Sequence, residues 1–452
     1  MIFAKRALID GRWSENARLT IAEGQITVLE TGAAALAGDT LVDTLLPALA
    51  NLHSHSFQRA MAGMTEHRAA GRDSFWTWRE MMYRFLGRLT PEMVEAIAAL
   101  VFFEMLEAGY ASVGEFHYLH HQSDGKPYDR PAELSLRIME AASATGIGLT
   151  HLSVLYSYGG AGKAPLAGGQ LRFANTLESY LELIEDVRLG AKAAPHDTIV
   201  GIAPHSLRAT TPEDLAALLA IVGDGPIHMH IAEQPKEVDD ITTWLGTRPV
   251  AWALDNLPLD HRWCMIHATH MNDAETAGLA RSGTVVGLCP ITEANLGDGP
   301  FNGRSWLAAG GAFGIGSDSN VRISLSEELR TLEYSQRLRH LERNVMVADV
   351  GSVGLHLYQG AAHGGAQALR RNCGAIAVGK LADLVAIDST HPALCALDAD
   401  QIVDGFIFAG SDTIITDVWS AGRHQVRGGR HIAREAVHRR WRKVAHSLFT
   451  AR

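Results

Sequence analysis

Strand-length apolar runs alternate with helical segments through most of the chain, and this alternation constrains the fold more than any other feature. Between the runs lie segments such as PEMVEAIAALVFFEMLEAG, whose apolar residues recur at helical spacing. Eight strands separated by helices predict an α/β protein with a (β/α)8 barrel of the TIM type over residues 49–369. The eight runs are, in order, LLPALANLHSH, ASVGEFHY, GIGLTHLSVLYS, TIVGIAPHS, PIHMHIAE, WCMIHATH, TVVGLCP and FGIGSDS.

The two ends of the chain follow a different pattern, with short β-branched runs separated by turn residues. The runs are FAKRALIDGRW, LTIAEGQITVLE and DTLVDTLLPAL at one end, and AIAVGKLADLVAID, DGFIFAG and ITDVWSAGRHQV at the other. We expect residues 1–48 and 370–430 to pair as a small β-sandwich domain outside the barrel. Residues 431–452 are expected to form a docked C-terminal helix with one apolar face. That face would consist of Ile432, Val437, Trp441, Val444 and Leu448.

Charge and cysteine content exclude several classes of protein. The net charge is −10, although the segment from Arg423 onward carries nine Lys or Arg and one Glu. Because the acidic bulk would repel polyanions, we expect a basic outer helix face and no nucleic-acid partner. No run approaches 18 uninterrupted apolar residues, and the N-terminus lacks the apolar core of a signal peptide, so no membrane partner is expected. Four scattered cysteines cannot build a disulfide framework, which favours a reducing, cytoplasmic location.

Ligand-capable side chains end most of the predicted barrel strands. His53 and His55 are two residues apart at the end of the first strand, so their rings share one face. His230 and Asp318 end later strands, and the carboxyl ends of barrel strands converge on one face. Three histidines and one aspartate predict a catalytic metal site with an open position. One Zn²⁺ is the expected ion, and Fe²⁺ also suits these nitrogen and oxygen ligands.

Three residues near this site are candidates for proton transfer. Glu233 follows His230 by three residues and can carry a proton from water to a leaving group. Asp318 can contact the metal and also accept a proton from its water. His267, at another strand end, can stabilise charge that develops on the substrate. The alternative for Glu233 is a surface carboxylate at the start of a helix, which the helix dipole favours.

The chain resembles the amidohydrolase superfamily over essentially its whole length. The resemblance rests on His53-Ser54-His55, on HIAE at 230–233, on the strand end at His267, on SDS at 317–319 and on GAIAVGKLADLVAID at 374–388. The fourth run, TIVGIAPHS, lacks the lysine of binuclear members, which indicates the mononuclear, deaminase-like branch. Within that branch the chain is most similar to the formimidoylglutamate deiminase family. The similar strings are NLHSHSFQRAMAG, DSFWTWREMMYR, EFHYLHH, HSLRA, EQPKEVDD and TEANLGDG.

This resemblance implies a small-molecule substrate and a reaction. N-formimino-L-glutamate and water would give N-formyl-L-glutamate and ammonia, a step in histidine degradation. The two substrate carboxylates need cations, and Arg79 and Arg208 are the candidates, since each can pair with a carboxylate through two hydrogen bonds. By spacing alone Arg79 would be a solvated surface residue, and only the resemblance assigns it to the site. Gln58, Tyr118 and His205 would supply further polar contacts to the substrate. A homodimer is also expected.

Two other functions remain open from the sequence. A deaminase of another amidine or of a cyclic, purine-like or pyrimidine-like substrate would share the metal set but would not need two convergent arginines. A barrel that has lost catalysis would lack part of the metal set, which is complete here. WTW at 76–78 is expected to pack in the core, and the loops at 60–75 and 157–170 are expected to act as lids. Four further histidines are expected to be structural or to support the residues of the site without contacting the substrate: His120, His121, His228 and His270.

Overall fold

The computed structural model describes residues 1–67, 73–221, 223–348 and 350–450. Its strands are β1 (Ile2–Ile9), β2 (Arg12–Ala22), β3 (Gln25–Glu30), β4 (Thr40–Pro47), β5 (Leu49–Ser54), β6 (Tyr110–His117), β7 (Gly148–Leu155), β8 (Ile199–Pro204), β9 (Ile227–Ile231), β10 (Trp263–His267), β11 (Val285–Leu288), β12 (Ala312–Ile315), β13 (Leu384–Ile387), β14 (Ile415–Ser420), β15 (Arg423–Arg427) and β16 (Arg430–His431). These strands divide between two eight-stranded sheets.

The helices lie mainly between the strands of the second sheet. They are α1 (Phe75–Leu86), α2 (Pro91–Glu107), α3 (Glu133–Thr145), α4 (Leu177–Ala191), α5 (Pro212–Leu219), α6 (Pro235–Leu245), α7 (Pro249–Asn256), α8 (Asp273–Arg281), α9 (Pro290–Leu296), α10 (Gly303–Ala308), α11 (Leu325–His340), α12 (Val353–Ala368), α13 (Asp400–Phe408) and α14 (Arg434–Thr450). Within the described residues, no helix combines the length and apolarity needed to cross a membrane.

The first sheet is built from both ends of the chain, as the sequence predicts. Its strand order is β16-β15-β14-β13-β4-β1-β2-β3, and every pair is antiparallel except β1 with β4. The β1–β2 turn places both Asp10 and Gly11 at positive φ, 45° and 76°. A two-residue turn of this kind matches the twist of a hairpin, and glycine adopts it without strain. The sheet therefore joins segments that are far apart in the sequence.

The second sheet is the predicted barrel of parallel strands, in the order β5 to β12. Its two edge strands meet just beyond their ends, where the His55 N–H donates to the Asp318 carbonyl and the Asp318 N–H donates to the His53 carbonyl, both at 2.9 Å. Gly316 makes this approach possible, because a Cβ there would lie 2.7 Å from the His53 carbonyl oxygen. The barrel thus closes at three of the four predicted metal ligands.

Two predictions about the C-terminal region are wrong. DGFIFAG is not a strand, because residues 400–408 form α13 and bury Ile402, Val403, Phe406 and Ile407 along one helix face. Ile432 is 61% exposed because it precedes α14 and lies outside the apolar face of that helix. Val437 and Leu448, from the same predicted set, are buried. A short apolar run fits either a strand or a helix, and packing decides between them.

Buried histidines on the barrel wall make stability depend on pH. His151 on β7 is fully buried, and burial together with the nearby His120 lowers its pKa to about 3. An unfolded histidine binds a proton below about pH 6.5, so unfolding takes up a proton between about pH 6.5 and 3. The free energy of unfolding therefore falls as the pH drops through this range. From pH 7 to pH 5, His151 alone is expected to lower it by about 2 kcal/mol.

Denaturant titrations at pH 7 and pH 5 would measure this effect. His151→Leu removes the buried imidazole, so we expect a smaller loss of stability between the two pH values than in the unmodified protein. His261→Leu, at an exposed position, should leave the loss unchanged. Equal losses in the His151→Leu variant and the unmodified protein would contradict this assignment.

Candidate active site

A cavity opens where the barrel strands end. Aromatic and charged side chains both line it. They are His55, Gln58, Phe75, Trp78, Arg79, Met82, Tyr83, Tyr118, Tyr156, Phe173, His205, Arg208, His230, Glu233, Leu296 and Asp318. A concave site with an apolar wall and a few convergent polar groups is typical of a small-molecule site.

The four predicted metal ligands lie together at the base of this cavity. One nitrogen from each of His53, His55 and His230 lies within 4.8 Å of the other two. Oδ1 of Asp318 lies 3.5 Å from Nε2 of His53 and 3.3 Å from Nε2 of His55. Strands at opposite ends of the barrel sequence therefore contribute to one cluster.

The hydrogen bonds and the burial of these histidines suit the cluster to binding a divalent metal ion. Nδ1–H of His55 donates to the Phe116 carbonyl at 2.9 Å, and Nδ1–H of His230 donates to the His205 carbonyl at 3.2 Å. These bonds leave both Nε2 lone pairs available as ligands. Both ring nitrogens of His53 are buried, and neither has a hydrogen-bond partner among the residues that the structure describes. Burial lowers the pKa of His53 to about 3, and the neutral ring is the form that binds metal.

The backbone is strained at three residues in or beside the site. His267, Asp318 and Ala232 have φ values of 69°, 45° and 50°, in the left-handed region that residues other than glycine rarely adopt. Such strain costs of order 1–3 kcal/mol at each residue and clusters at functional sites. The three strained residues stand at the end of β10 and just beyond the ends of β9 and β12, next to the side chains of the site.

His267 lies between three carboxylates. Its Nδ1 is 3.2 Å from Oε1 of Glu293, while its Nε2 is 3.7 Å from Oε1 of Glu233 and 3.9 Å from Oδ2 of Asp318. Burial alone would lower the pKa of His267, but the carboxylates of Glu233, Glu293 and Asp318 outweigh it and raise the pKa to about 10. Glu293 also accepts the Cys289 N–H at 2.8 Å. Sequence reasoning missed Glu293, although it stands within the TEANLGDG string.

Glu233 is buried and bonded to Arg208. Nη2 of Arg208 donates to Oε2 of Glu233 at 2.7 Å, and Nε of Arg208 lies 3.7 Å from Oε2 of Glu237. The alternative of a surface carboxylate is wrong, because Glu233 is only 4% exposed. Arg208 therefore contacts the candidate acid, Glu233. Because Arg208 also lines the cavity, it faces the space for a substrate as well. Glu237 is a second residue that sequence reasoning missed.

The remaining predicted substrate contacts also line the cavity. Nε2 of Gln58 donates to the Tyr118 hydroxyl at 2.7 Å. The His205 ring stacks on the His230 ring, with centroids 4.9 Å apart, and its Nδ1 lies 2.9 Å from the Ser206 hydroxyl. These contacts hold polar groups in fixed orientations around the cavity.

Helix α1 forms one wall of the cavity. The Arg79 guanidinium lies 4.6 Å from the centre of the Trp76 ring. Trp78 is partly buried, packs against the main hydrophobic core and also lines the cavity, so the prediction that WTW packs in the core is confirmed only in part for this residue. The helix docks over the strand ends, which its sequence pattern does not reveal. The predicted lid at 60–75 includes residues 68–72, which lie outside the described residues.

The four histidines expected to be structural do not line the cavity. His120 and His228 each contact a backbone carbonyl through Nε2, that of Val154 at 2.9 Å and that of Ala368 at 2.8 Å. Nε2 of His121 contacts the Ala174 carbonyl at 2.5 Å. His270 lines a separate surface groove. Histidine content alone therefore does not mark the site.

Comparison with known proteins is consistent with this geometry. A family model described as the amidohydrolase family matches residues 44–424. The chain belongs to the amidohydrolase family. A second model, described as the N-terminal domain of formimidoylglutamate deiminase, matches residues 1–43. Together the two models match residues 1–424 of this amidohydrolase, which include the whole barrel sheet and the first sheet except for most of β15 and all of β16.

Individual relatives cover nearly the whole chain. Formimidoylglutamate deiminase of Pseudomonas aeruginosa is 50% identical, and 99% of each sequence is covered. The crystal structure of an amidohydrolase from Brucella melitensis is 47% identical, with a TM-score of 0.95 and 99% of both chains covered. 5-Methylthioadenosine/S-adenosylhomocysteine deaminase of Bacillus cereus is 26% identical, covering 92% of this chain and 90% of its own. The fold predicted from the sequence is confirmed.

Proposed function

We propose that this amidohydrolase hydrolyses N-formimino-L-glutamate to N-formyl-L-glutamate and ammonia, a step in histidine degradation. The observation that carries the proposal is one cavity that combines a metal-capable group with two arginines, Arg79 and Arg208. A substrate with two carboxylates suits two cations. The relative from Pseudomonas aeruginosa, 50% identical, bears the name of this activity.

His53, His55, His230 and Asp318 would hold one Zn²⁺, with Fe²⁺ as the alternative. A bound divalent ion supplies Lewis acidity and makes water acidic enough to lose a proton near neutral pH. Asp318 would accept the proton of the attacking water. Addition of water makes the formimino carbon of the substrate tetrahedral. His267, which faces Asp318 and Glu233, would stabilise the charge that develops on the atoms bonded to this carbon.

Glu233 would donate a proton to the departing nitrogen. Ammonia leaves readily, whereas its anion does not, so this step needs an acid within hydrogen-bond reach. Glu233 lines the cavity beside His267 and can reach a substrate held there. Its buried position limits competition from water for the proton.

Arg79 and Arg208 would bind the two carboxylates of the substrate, while Gln58, Tyr118 and His205 would contact the rest of its polar groups. The Arg79 side chain is partly exposed and stacks on Trp76, so it can close over a bound ligand. Aromatic side chains of α1, together with Tyr118, Tyr156 and Phe173, line the cavity. They would exclude water from the methylene groups between the two substrate carboxylates.

Ammonia release by zinc-loaded protein tests the function directly. We expect turnover of N-formimino-L-glutamate and little turnover of adenosine, guanine or cytosine under the same conditions. Turnover of a ring compound without turnover of the formimino compound would favour the alternative, a deaminase of cyclic substrates. That outcome would retain the metal site and reject the two-carboxylate pocket.

Arg79→Met tests the pocket for the second carboxylate. Loss of a charged hydrogen bond worth about 1.5–3 kcal/mol should lower kcat/KM by about 10- to 100-fold, mainly through KM. Steady-state kinetics with N-formimino-L-glutamate would measure it. Arg84→Met, an exposed arginine on the same helix, is the control and should leave KM unchanged. A KM that stays unchanged in Arg79→Met would exclude Arg79 from carboxylate binding.

Assembly, location and metal are further parts of the proposal. We propose a homodimer in the cytoplasm with one Zn²⁺ per subunit. All four cysteines lie among the described residues, and none forms a disulfide, which suits a reducing compartment. Light scattering on purified protein would test the dimer, and metal analysis of protein from unsupplemented cells would test the ion.

A further inference from the structure

Glu237 is a fully buried carboxylate to which neither the sequence nor the proposed mechanism gives a role. It lies on the first turn of α6, directly beyond the strand that carries His230. Its Oε1 accepts the Ala232 N–H and its Oε2 accepts the Glu233 N–H, each at 3.0 Å. Both oxygens therefore hold the backbone at the candidate acid. A buried carboxylate needs such partners, because burial without them is unfavourable by several kcal/mol.

The backbone that Glu237 holds is strained. Ala232 has a φ of 50°, in the left-handed region, and lies between β9 and Glu233. Strained turns persist only where surrounding contacts enforce them. The two hydrogen bonds to Glu237 are contacts of this kind, so they fix the direction in which the Glu233 side chain leaves the backbone.

Glu237 also shares a cation with Glu233. Oε2 of Glu237 lies 3.7 Å from Nε of Arg208, and that buried Nε has no hydrogen-bond partner among the described residues. Arg208 bonds Glu233 through a different nitrogen, Nη2. One guanidinium thus faces two carboxylates. With Glu237 present, Glu233 is not the sole counter-ion of Arg208 and can take up and release a proton without leaving Arg208 unpaired.

We infer that Glu237 is a positioning residue for Glu233, holding its backbone and sharing Arg208 with it. The inference rests on the proposed function, because it assigns Glu237 to the acid of that reaction. Glu237 does not line the cavity, so it would act through Glu233 and not on the substrate. Its loss should slow the proton-transfer step more than it weakens substrate binding.

Glu237→Gln tests the inference in the full-length, zinc-loaded protein. The amide keeps the shape but loses the charge beside Arg208 and one of the two acceptor oxygens. We expect kcat for ammonia release from N-formimino-L-glutamate to fall by about 10- to 100-fold, as for other residues that orient a reacting group. KM should change by less than about threefold. Glu237→Asp, which keeps the charge, should recover part of the lost kcat.

Glu333→Gln is the matched control. Glu333 is also fully buried, accepts the N–H groups of Val345 and Met346 at 2.9 and 2.8 Å, and pairs with Arg337 at 2.6 Å. It lies outside the cavity lining. Both Gln variants should lose comparable thermal stability, and only Glu237→Gln should lose kcat after correction for folded protein.

A double variant separates positioning from general destabilisation. If Glu237 acts through Glu233, adding Glu237→Gln to Glu233→Gln should lower kcat no further. A full additional loss in the double variant, or an unchanged kcat in the single variant, would overturn the inference. No ammonia release by the unmodified protein would instead reject the proposed function, so the two failures are distinguishable.

Discussion

Replacement of Glu233 by Gln is expected to lower kcat for ammonia release by about 10²- to 10⁴-fold, the usual contribution of a general acid. Gln keeps the shape of the side chain and can still accept the bond from Arg208, but it cannot supply an acidic proton to the leaving nitrogen. Because the carboxylate acts after substrate binds, KM should change little. Steady-state ammonia release at saturating substrate would measure the effect.

Glu275→Gln is the control for this replacement. Glu275 is a buried carboxylate that pairs with Arg248 at 3.0 Å, outside the cavity lining. We expect its replacement to affect stability and to leave kcat of the folded protein near that of the unmodified enzyme. If Glu233→Gln retained more than about a tenth of kcat, another group would have to deliver the proton.

Replacement of His230 by Asn is expected to remove both the metal and the activity. Nε2 of His230 is held toward the cluster by the bond from Nδ1 to the His205 carbonyl, and the shorter Asn side chain cannot reach the same point. Replacement of a residue that only supports a metal ligand lowers metal affinity or activity by about 10- to 100-fold. Replacement of a metal ligand itself should therefore lower metal affinity and activity by more than about a hundredfold. Metal content and ammonia release on one preparation would measure both.

His228→Asn controls for the loss of a buried histidine on the same strand. His228 is fully buried on β9, and its Nε2 contacts the Ala368 carbonyl at 2.8 Å, away from the cavity. We expect this variant to lose stability and to keep its metal when folded. Equal metal loss in the two variants would mean that damage to β9, not loss of a ligand, empties the site.

The barrel could be predicted because its signal is local. Each strand is a short apolar run and each helix repeats apolar residues at its own period, so both patterns are readable without knowing the neighbours. His53, His55, His230 and Asp318 could be grouped in advance because parallel strands in a barrel bring their carboxyl ends together. The error at DGFIFAG has the same origin, because that run is too short for its period to be read.

Residues that act through tertiary contacts could not be predicted in this way. Glu293 lies on α9 and reaches His267 only because that helix packs beside the strand end. Glu237 reaches the Glu233 N–H locally, but it meets Arg208 only because α6 packs beside the end of β8. Trp78 resembles a core residue in the sequence, yet α1 docks with it facing the cavity. In each case a side chain on a helix gains its role from the end of a barrel strand beside it. The sequence of the helix does not show which strand end that is.

The sequence by itself determined the alternation of strands and helices, most of the terminal strands and the three histidines of the metal-capable group, His53, His55 and His230. Only the tertiary structure decided how the barrel closes at Gly316, which φ values His267 and Asp318 adopt, and that Arg208 lies between Glu233 and Glu237. The physical reason is range. Periodicity and strand direction follow from neighbours along the chain, whereas strain, ion pairing and cavity walls depend on packing between residues far apart in it.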